Sequence, residues 1–156
     1  MITGSDILWR WYTWRDLDAD TLHAIVKLRG EVFVVEQKCA YADVDGFDPQ
    51  CDHLCGTTEL GHFLAYLRVL PPGVKHPQPS IGRVVVAPNA RKHGLARRAM
   101  LEGILRCNAR FPGEPILVQA QQYLQRFYAS LGFEAIGAPY VEDGIPHVDM
   151  RRTRMS

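Results

Sequence analysis

The densest set of chemically useful side chains lies at residues 91–97, Arg91-Lys92-His93-Gly94-Leu95-Ala96-Arg97, after an apolar, β-branched run at 81–86 with the composition of a buried strand. Pro88 and Asn89 end that strand, and a helix is expected from Arg91 to about Asn108. The first N–H groups of a helix lack intrahelical partners and the helix dipole is positive there, so such an end takes up phosphate. Gly94 has no Cβ and lets the backbone come close to an anion. Arg91, Lys92, Arg97 and Arg98 add positive charge around the same turn. A Walker loop needs Gly-Lys-Ser/Thr where Gly94-Leu95-Ala96 stands, and the dinucleotide fingerprint needs more glycines than the one present. Two readings remain for the loop alone: an anion site for a phosphate-bearing cofactor, or a plain helix start with a solvated basic face.

Other candidates are sparser. Tyr128 stands on an apolar stripe with Leu124, Phe127 and Leu131 at helical spacing, which suits packing as well as chemistry. His53, at a strand start, and His147, after Glu142-Asp143-Gly144-Ile145-Pro146, offer imidazole, the side chain that exchanges protons near neutral pH. A lone histidine is more often structural or on the surface. Cys51-Asp52-His53-Leu54-Cys55, with Cys39 upstream, has the outline of a zinc cluster, but it lacks a tight C-x-x-C pair. The expected state is therefore no metal and reduced, unpaired thiols. Cys107 falls at helical spacing from Met100 and Gly103 and reads as a small core residue.

These residues must be held by a fold, and 156 residues with a hydrophobic fraction of 47% and a charged fraction of 22% suit one soluble globular domain, residues 1–156. A net charge of +1 leaves no global field to favour nucleic acid or membrane, so the basic turn near residue 91 needs a local reason. No apolar run approaches the roughly 20 residues of a membrane span, and the N-terminus lacks the basic-then-apolar order of a signal peptide, which makes the cytoplasm the expected location.

In chain order, residues 7–14 read as an aromatic strand that could bury itself in the core or in a homodimer contact. Asp18 caps a helix beginning near Ala19, which is expected to break around Gly30 and resume as a short helix or turn to Gln37. A loop over 39–50, a hairpin of strands at 53–58 and 63–70 and a proline-rich loop at 71–80 lead to the strand at 81–86. After the helix that follows it come a strand at 115–120, the helix carrying Tyr128 with Gly132 past its end, a strand at 133–136, a turn at 140–144 and a last strand at 145–151. The pattern is that of a mixed α/β domain.

The Arg91-x-x-Gly94-x-Ala96 loop after a β-branched strand resembles the acetyl-CoA loop, Gln/Arg-x-x-Gly-x-Gly/Ala, of the GNAT N-acetyltransferases. The similarity extends over residues 8–151. Leu28-Arg29-Gly30-Glu31-Val32-Phe33-Val34-Val35-Glu36-Gln37, then Asp45-Gly46-x-Asp48, Gln125-x-Phe127-Tyr128-x-x-x-Gly132-Phe133, and Glu142-Asp143-Gly144-Ile145-Pro146-His147 are similar to the ElaA-type branch. The resemblance implies a GNAT-like α/β fold, a mixed central sheet flanked by helices and splayed at its central strands. It also implies acetyl-CoA as co-substrate and, as partner, a small-molecule or protein amine.

By the same resemblance, the backbone of Val84, Val85 and Val86 lines the pantetheine arm. Arg91, Lys92, His93, Gly94, Leu95 and Ala96, with Arg97 at the edge, hold the pyrophosphate. Gln121 bonds the pantetheine or orders a relay water, and Tyr128 protonates the departing thiolate. Family members often use a glutamate base near the central strand, or a water chain; Arg83-Val84-Val85-Val86 offers no carboxylate, so His147 and His53 are the better side-chain candidates beside a water. Arg29, Phe33, Glu36 and Gln37 would roof the acceptor, and Glu36, Asp45, Asp48, Glu142 and Asp143 would line its pocket and favour a cationic amine; any one of these loop carboxylates could equally face water. No cysteine lies at the loop, so direct attack in a ternary complex is expected rather than an acetyl-cysteine. The alternatives are a non-catalytic CoA- or acyl-CoA-binding module and a nucleotide-phosphate-binding protein, the latter disfavoured by the missing Lys-Ser/Thr.

Overall fold

The structure, a computed structural model, describes residues 6–153. β1 (Ile7–Tyr12), β2 (Asp52–Thr58), β3 (Phe63–Leu70) and β4 (Ser80–Val86) form an antiparallel meander. β5 (Ile116–Gln121) continues the sheet parallel to β4, followed by β8 (Ile145–Arg152) and the short β6 (Glu134–Ala135); β7 (Tyr140–Glu142) also pairs with β8. The sheet is thus mixed and eight-stranded, with helices over both faces.

α1 (Ala19–Arg29) starts at Asp18, whose carboxylate accepts the Thr21 N–H at 2.7 Å. It buries Ile25, Leu28 and Val32 of the following turn against Cys55, Tyr66 and Val85. The expected break at Gly30 does not occur. Gly30 keeps helical angles (φ −64°, ψ −43°), and the chain runs on as a π-helix, Gly30–Glu36, that stops at Gln37 and Lys38, the latter at φ +52°. α2 (Leu95–Arg110) packs Met100, Ile104 and Cys107 on the opposite face against Leu54, Leu67, Ile81 and Val118. Gly103 makes the close approach possible: a Cβ there would sit 3.0 Å from Ile81 Cδ1 and 3.3 Å from Leu67 Cδ2. α3 (Gln125–Ala129) is shorter than the apolar stripe suggested. Gly132 ends it in a Schellman arrangement, with the Phe133 N–H on Tyr128 O at 3.2 Å and the Gly132 N–H on Ala129 O at 3.0 Å.

Three further boundaries differ from expectation. β1 stops at Tyr12 and Trp14–Asp16 coils into a 3₁₀ turn tied by Asp16. Residues 91–94 precede α2 rather than open it, because Lys92 (φ +69°) and Gly94 (φ +74°) take left-handed angles incompatible with a helix. Residues 140–142 form a strand, not a turn: β7 and β8 close around Asp143-Gly144, both at positive φ, the pattern of a tight two-residue hairpin.

Two sheet irregularities create a gap. Between the pairs Arg68–Gly82 and Tyr66–Val85, Arg83 and Val84 stand opposite Leu67 alone, so β4 carries a bulge, with Arg83 at φ +52°. β4 and β5 share one paired position, Ser80–Leu117, and then part.

Candidate active site

The gap between β4 and β5 opens into a cleft of about 700 Å³. Its β4 wall is backbone. The Ala87 N–H donates to Leu64 O at 2.8 Å, toward β3, so by strand alternation Val85 also faces β3 while Val84 and Val86 turn their N–H and C=O toward the gap. Its floor at one end is the start of α2. Gly94 supplies no side-chain cap, and the first N–H to bond back is that of Arg98, to Gly94 O at 3.1 Å. The N–H groups of Leu95, Ala96 and Arg97 are therefore left for a ligand. A Cβ added at Gly94 would meet nothing within 4 Å, so the loop surface is open there.

The roof is the end of the π-helix, tied to three walls by nearly consecutive residues. Both Glu36 carboxylate oxygens accept from Arg91, at 2.5 and 2.6 Å, and this pairing holds the Glu36 carboxyl below the usual range. Gln37 Oε1 accepts from Gln121 Nε2 at 3.2 Å at the end of β5. The Cys39 thiol donates to Asp143 O at 3.2 Å on the β7–β8 turn. Arg97 reaches out of the loop to Ser130 Oγ, 3.0 Å. Tyr128 lines the cleft from α3, 7% exposed, its ring edge-on to Phe127 and Phe133. Burial pushes its hydroxyl up to about 12, so it keeps its proton at neutral pH.

The far end is polar. Gln119 and Gln121 alternate on β5 with buried Val118 and Ala120, and they face Asp149 and His147 across the β5–β8 ladder. The His147 ring stacks on Tyr140 of β7, centroids 5.9 Å apart. The Tyr140 hydroxyl donates to Asp149 Oδ1 at 2.6 Å and accepts from Gln119 at 3.1 Å.

A sequence profile for the acetyltransferase (GNAT) domain matches residues 65–154. The chain is 37% identical to the protein ElaA of Escherichia coli over 139 residues, 88% of this chain and 90% of ElaA. The chain belongs to the GNAT acetyltransferase family. Its place is in the ElaA-like branch: the crystal structure of E. coli ElaA matches with a TM-score of 0.88 at 35% identity, covering 94% of this chain and 99% of that one. The structure of an acyl-CoA N-acyltransferase from Pseudomonas aeruginosa matches with a TM-score of 0.89 at 40% identity, with the same coverage.

A GNAT cleft takes acyl-CoA, and the features here fit one: open N–H groups at a helix start for phosphates, a strand edge that β5 leaves free for amides apart from Val86 O, which accepts from Arg91 Nε at 3.4 Å, and a bare Gly94. Of the residues read from the sequence as GNAT site residues, the cleft gathers Val84, Val85, Val86, Arg91, Lys92, Gly94, Leu95, Ala96, Arg97, Gln121, Tyr128, Phe33, Glu36, Gln37, Glu142, Asp143 and His147. His93 belongs to the loop but does not line the cleft.

Four of the expected residues do not line the cleft: Arg29, Asp48 and His53 are buried, and the half-buried Asp45 is engaged by arginines. Arg29 is fully buried beneath the 39–50 loop, with Nε 2.9 Å from Asp43 Oδ2 and Nη1 2.8 Å from Asp48 Oδ1. Asp48 also accepts from Arg68 at 2.9 Å, and Asp45 pairs with Arg68 at 2.5 Å and with Arg83 at 3.2 Å. These carboxyls sit below the usual range because three arginines oppose their desolvation; they anchor the loop rather than meet an acceptor. His53, fully buried, places Nε2 2.9 Å from Asp48 O and Nδ1 2.6 Å from the Tyr66 hydroxyl, which leaves no nitrogen free to act as a base.

Tyr41 was not anticipated. It lies over the far end with the Arg83 guanidinium 5.4 Å from its ring centre and its hydroxyl on Asp43 at 3.0 Å. Nothing local in the sequence marks it, since its position depends on the buried arginines. Gln119 was legible in principle from the alternation along β5. The cysteines are separate: Cys51 donates to Phe47 O at 3.2 Å and Cys55 is in the apolar core. Among the described residues no group of three or more His, Cys, Asp or Glu is gathered around a metal position, and no helix is long and apolar enough to cross a membrane.

Proposed function

We propose that the chain transfers an acetyl group from acetyl-CoA to an amine by direct attack in a ternary complex. The observation that carries this is the parting of β4 and β5 after one paired position, with the gap ending at the uncapped start of α2. Acetyl-CoA supplies the thioester that is to be attacked. Leu95, Ala96 and Arg97 offer backbone N–H groups to its pyrophosphate, aided by the helix dipole and by Lys92. Val84 and Val86 offer strand groups to the pantetheine amides, and the Val86 N–H is placed to polarise the thioester carbonyl. Tyr128 keeps its hydroxyl proton and donates it to the departing thiolate.

A thiol-release assay with acetyl-CoA across a panel of amines tests this reading. Amine-dependent CoA release by the wild type is expected, and Tyr128→Phe is expected to lower kcat by about 10- to 100-fold with the acetyl-CoA Kd unchanged. Unchanged turnover would assign Tyr128 to packing against Phe127 and Phe133. Binding of acetyl-CoA without any amine-dependent release would favour a CoA-binding module instead.

A further inference from the structure

An amine in water at neutral pH is mostly an ammonium ion, and it must lose a proton before it can attack. The side chains around the cleft differ sharply in their freedom to accept one. Glu36 has both oxygens on Arg91. The Cys39 thiol is on Asp143 O. Glu142 and Asp143 are exposed on the hairpin rim. Arg83, behind them, lies against Asp43 and Asp45, and Asp149 is held by the Tyr140 hydroxyl.

His147 is different. Its Nδ1 lies 2.7 Å from Ile145 O. A carbonyl oxygen only accepts, so Nδ1 carries the hydrogen and Nε2 is left with the lone pair. Tyr140 stacks on the ring at an interplanar angle of 20° and is itself clamped by Gln119 and Asp149. Gln121, opposite His147 on β5, is bound to the roof through Gln37. The main chain thus sets the tautomer, the neighbouring strands set the ring plane, and the half-buried ring lines the cleft.

We infer, on the transferase reading above, that His147 Nε2 is the catalytic base for an aliphatic ammonium acceptor entering beside Glu142 and Asp143. One N–H bond of the ammonium breaks and its proton goes to Nε2. The freed lone pair forms the N–C bond at the thioester carbonyl as the C–S bond breaks. A second nitrogen proton leaves as the amide forms; it replaces the one Tyr128 gives to the sulfur. The products are an amide, a thiol and one proton, which the imidazole passes to water. The hairpin carboxylates favour the cation at the rim, and the base converts it to the nucleophile.

The test uses acetyl-CoA, the best alkylamine from the thiol-release panel, and a β,β,β-trifluorinated amine, whose nitrogen is largely unprotonated at neutral pH. His147→Gln and His147→Ala are compared with wild type; glutamine keeps a hydrogen-bonding group there but cannot take the proton. Both variants are expected to lose about 100-fold or more in kcat with the alkylamine and less than about 10-fold with the fluorinated one, at unchanged acetyl-CoA Kd. Added imidazole is expected to restore part of the His147→Ala rate. Equal losses with both amines, or no loss, would overturn the assignment of the base while leaving the transferase reading in place. Absence of amine-dependent release by folded wild type would overturn both.

Discussion

His53 and His147 are the same residue in opposite surroundings, and their difference is measurable. His53 donates from Nε2 to Asp48 O and accepts at Nδ1 from the Tyr66 hydroxyl, an arrangement that suits neutral imidazole only. Burial, with Arg29 and Arg68 nearby, lowers its proton affinity in the fold. The unfolded chain binds that proton near pH 6.5, so below this the unfolded state holds more protons and stability falls. The loss sets in as pH drops through about 6.5 and continues toward the lower folded value. The depressed carboxyls of Asp45 and Asp48 act lower, from about pH 4 downward, so they do not confuse the window. Urea denaturation at pH 7 and pH 5 is expected to show weaker folding at pH 5 in the wild type and a smaller difference in His53→Gln, whose amide can make both hydrogen bonds without titrating. An equal pH dependence in the two proteins would place the titrating group elsewhere.

At the scale of elements, the cleft depends on how closely α2 lies on the sheet, because the 91–94 loop that bounds the cleft leads into α2. Gly103 sets that distance. Gly103→Val would drive a branched side chain into Ile81 and Leu67 and is expected to cost about 1–3 kcal/mol by chemical denaturation, and to weaken acetyl-CoA binding as α2 is displaced. A variant as stable as wild type would mean that the helix is free to shift. The elements also show why some of the chain could be read from its sequence. The strand, loop and helix at 81–110 were legible because β-branched residues, Pro88 and Gly94 act locally. The bulge at Arg83 was not, because a left-handed arginine is imposed by pairing with β3 and by Asp43 and Asp45. The same holds for Arg29, expected in the acceptor roof, and for Asp45 and Asp48, expected in the acceptor pocket or as loop charges: only the tertiary fold brings three arginines and three aspartates together. β7 was taken for a turn because its three residues gain strand geometry only from β8.

For the whole molecule, two cores on opposite faces of one sheet hold a gap that the sheet itself leaves open. The roof from Glu36 to Cys39 closes over it by contacts to the loop before α2, to β5 and to the β7–β8 hairpin. On the proposed function, the donor lies in the β4–β5 gap with its phosphates on the uncapped start of α2. Calorimetric titration of acetyl-CoA into wild type and Gly94→Glu tests it most directly, with circular dichroism to show that both are folded. Glutamate at this position would set a carboxylate against the same N–H groups. Saturable binding by wild type and a loss of about tenfold or more in the variant, equivalent to about 1.4 kcal/mol, is the predicted result. Equal affinity in the two proteins, or no binding by folded wild type, would contradict it.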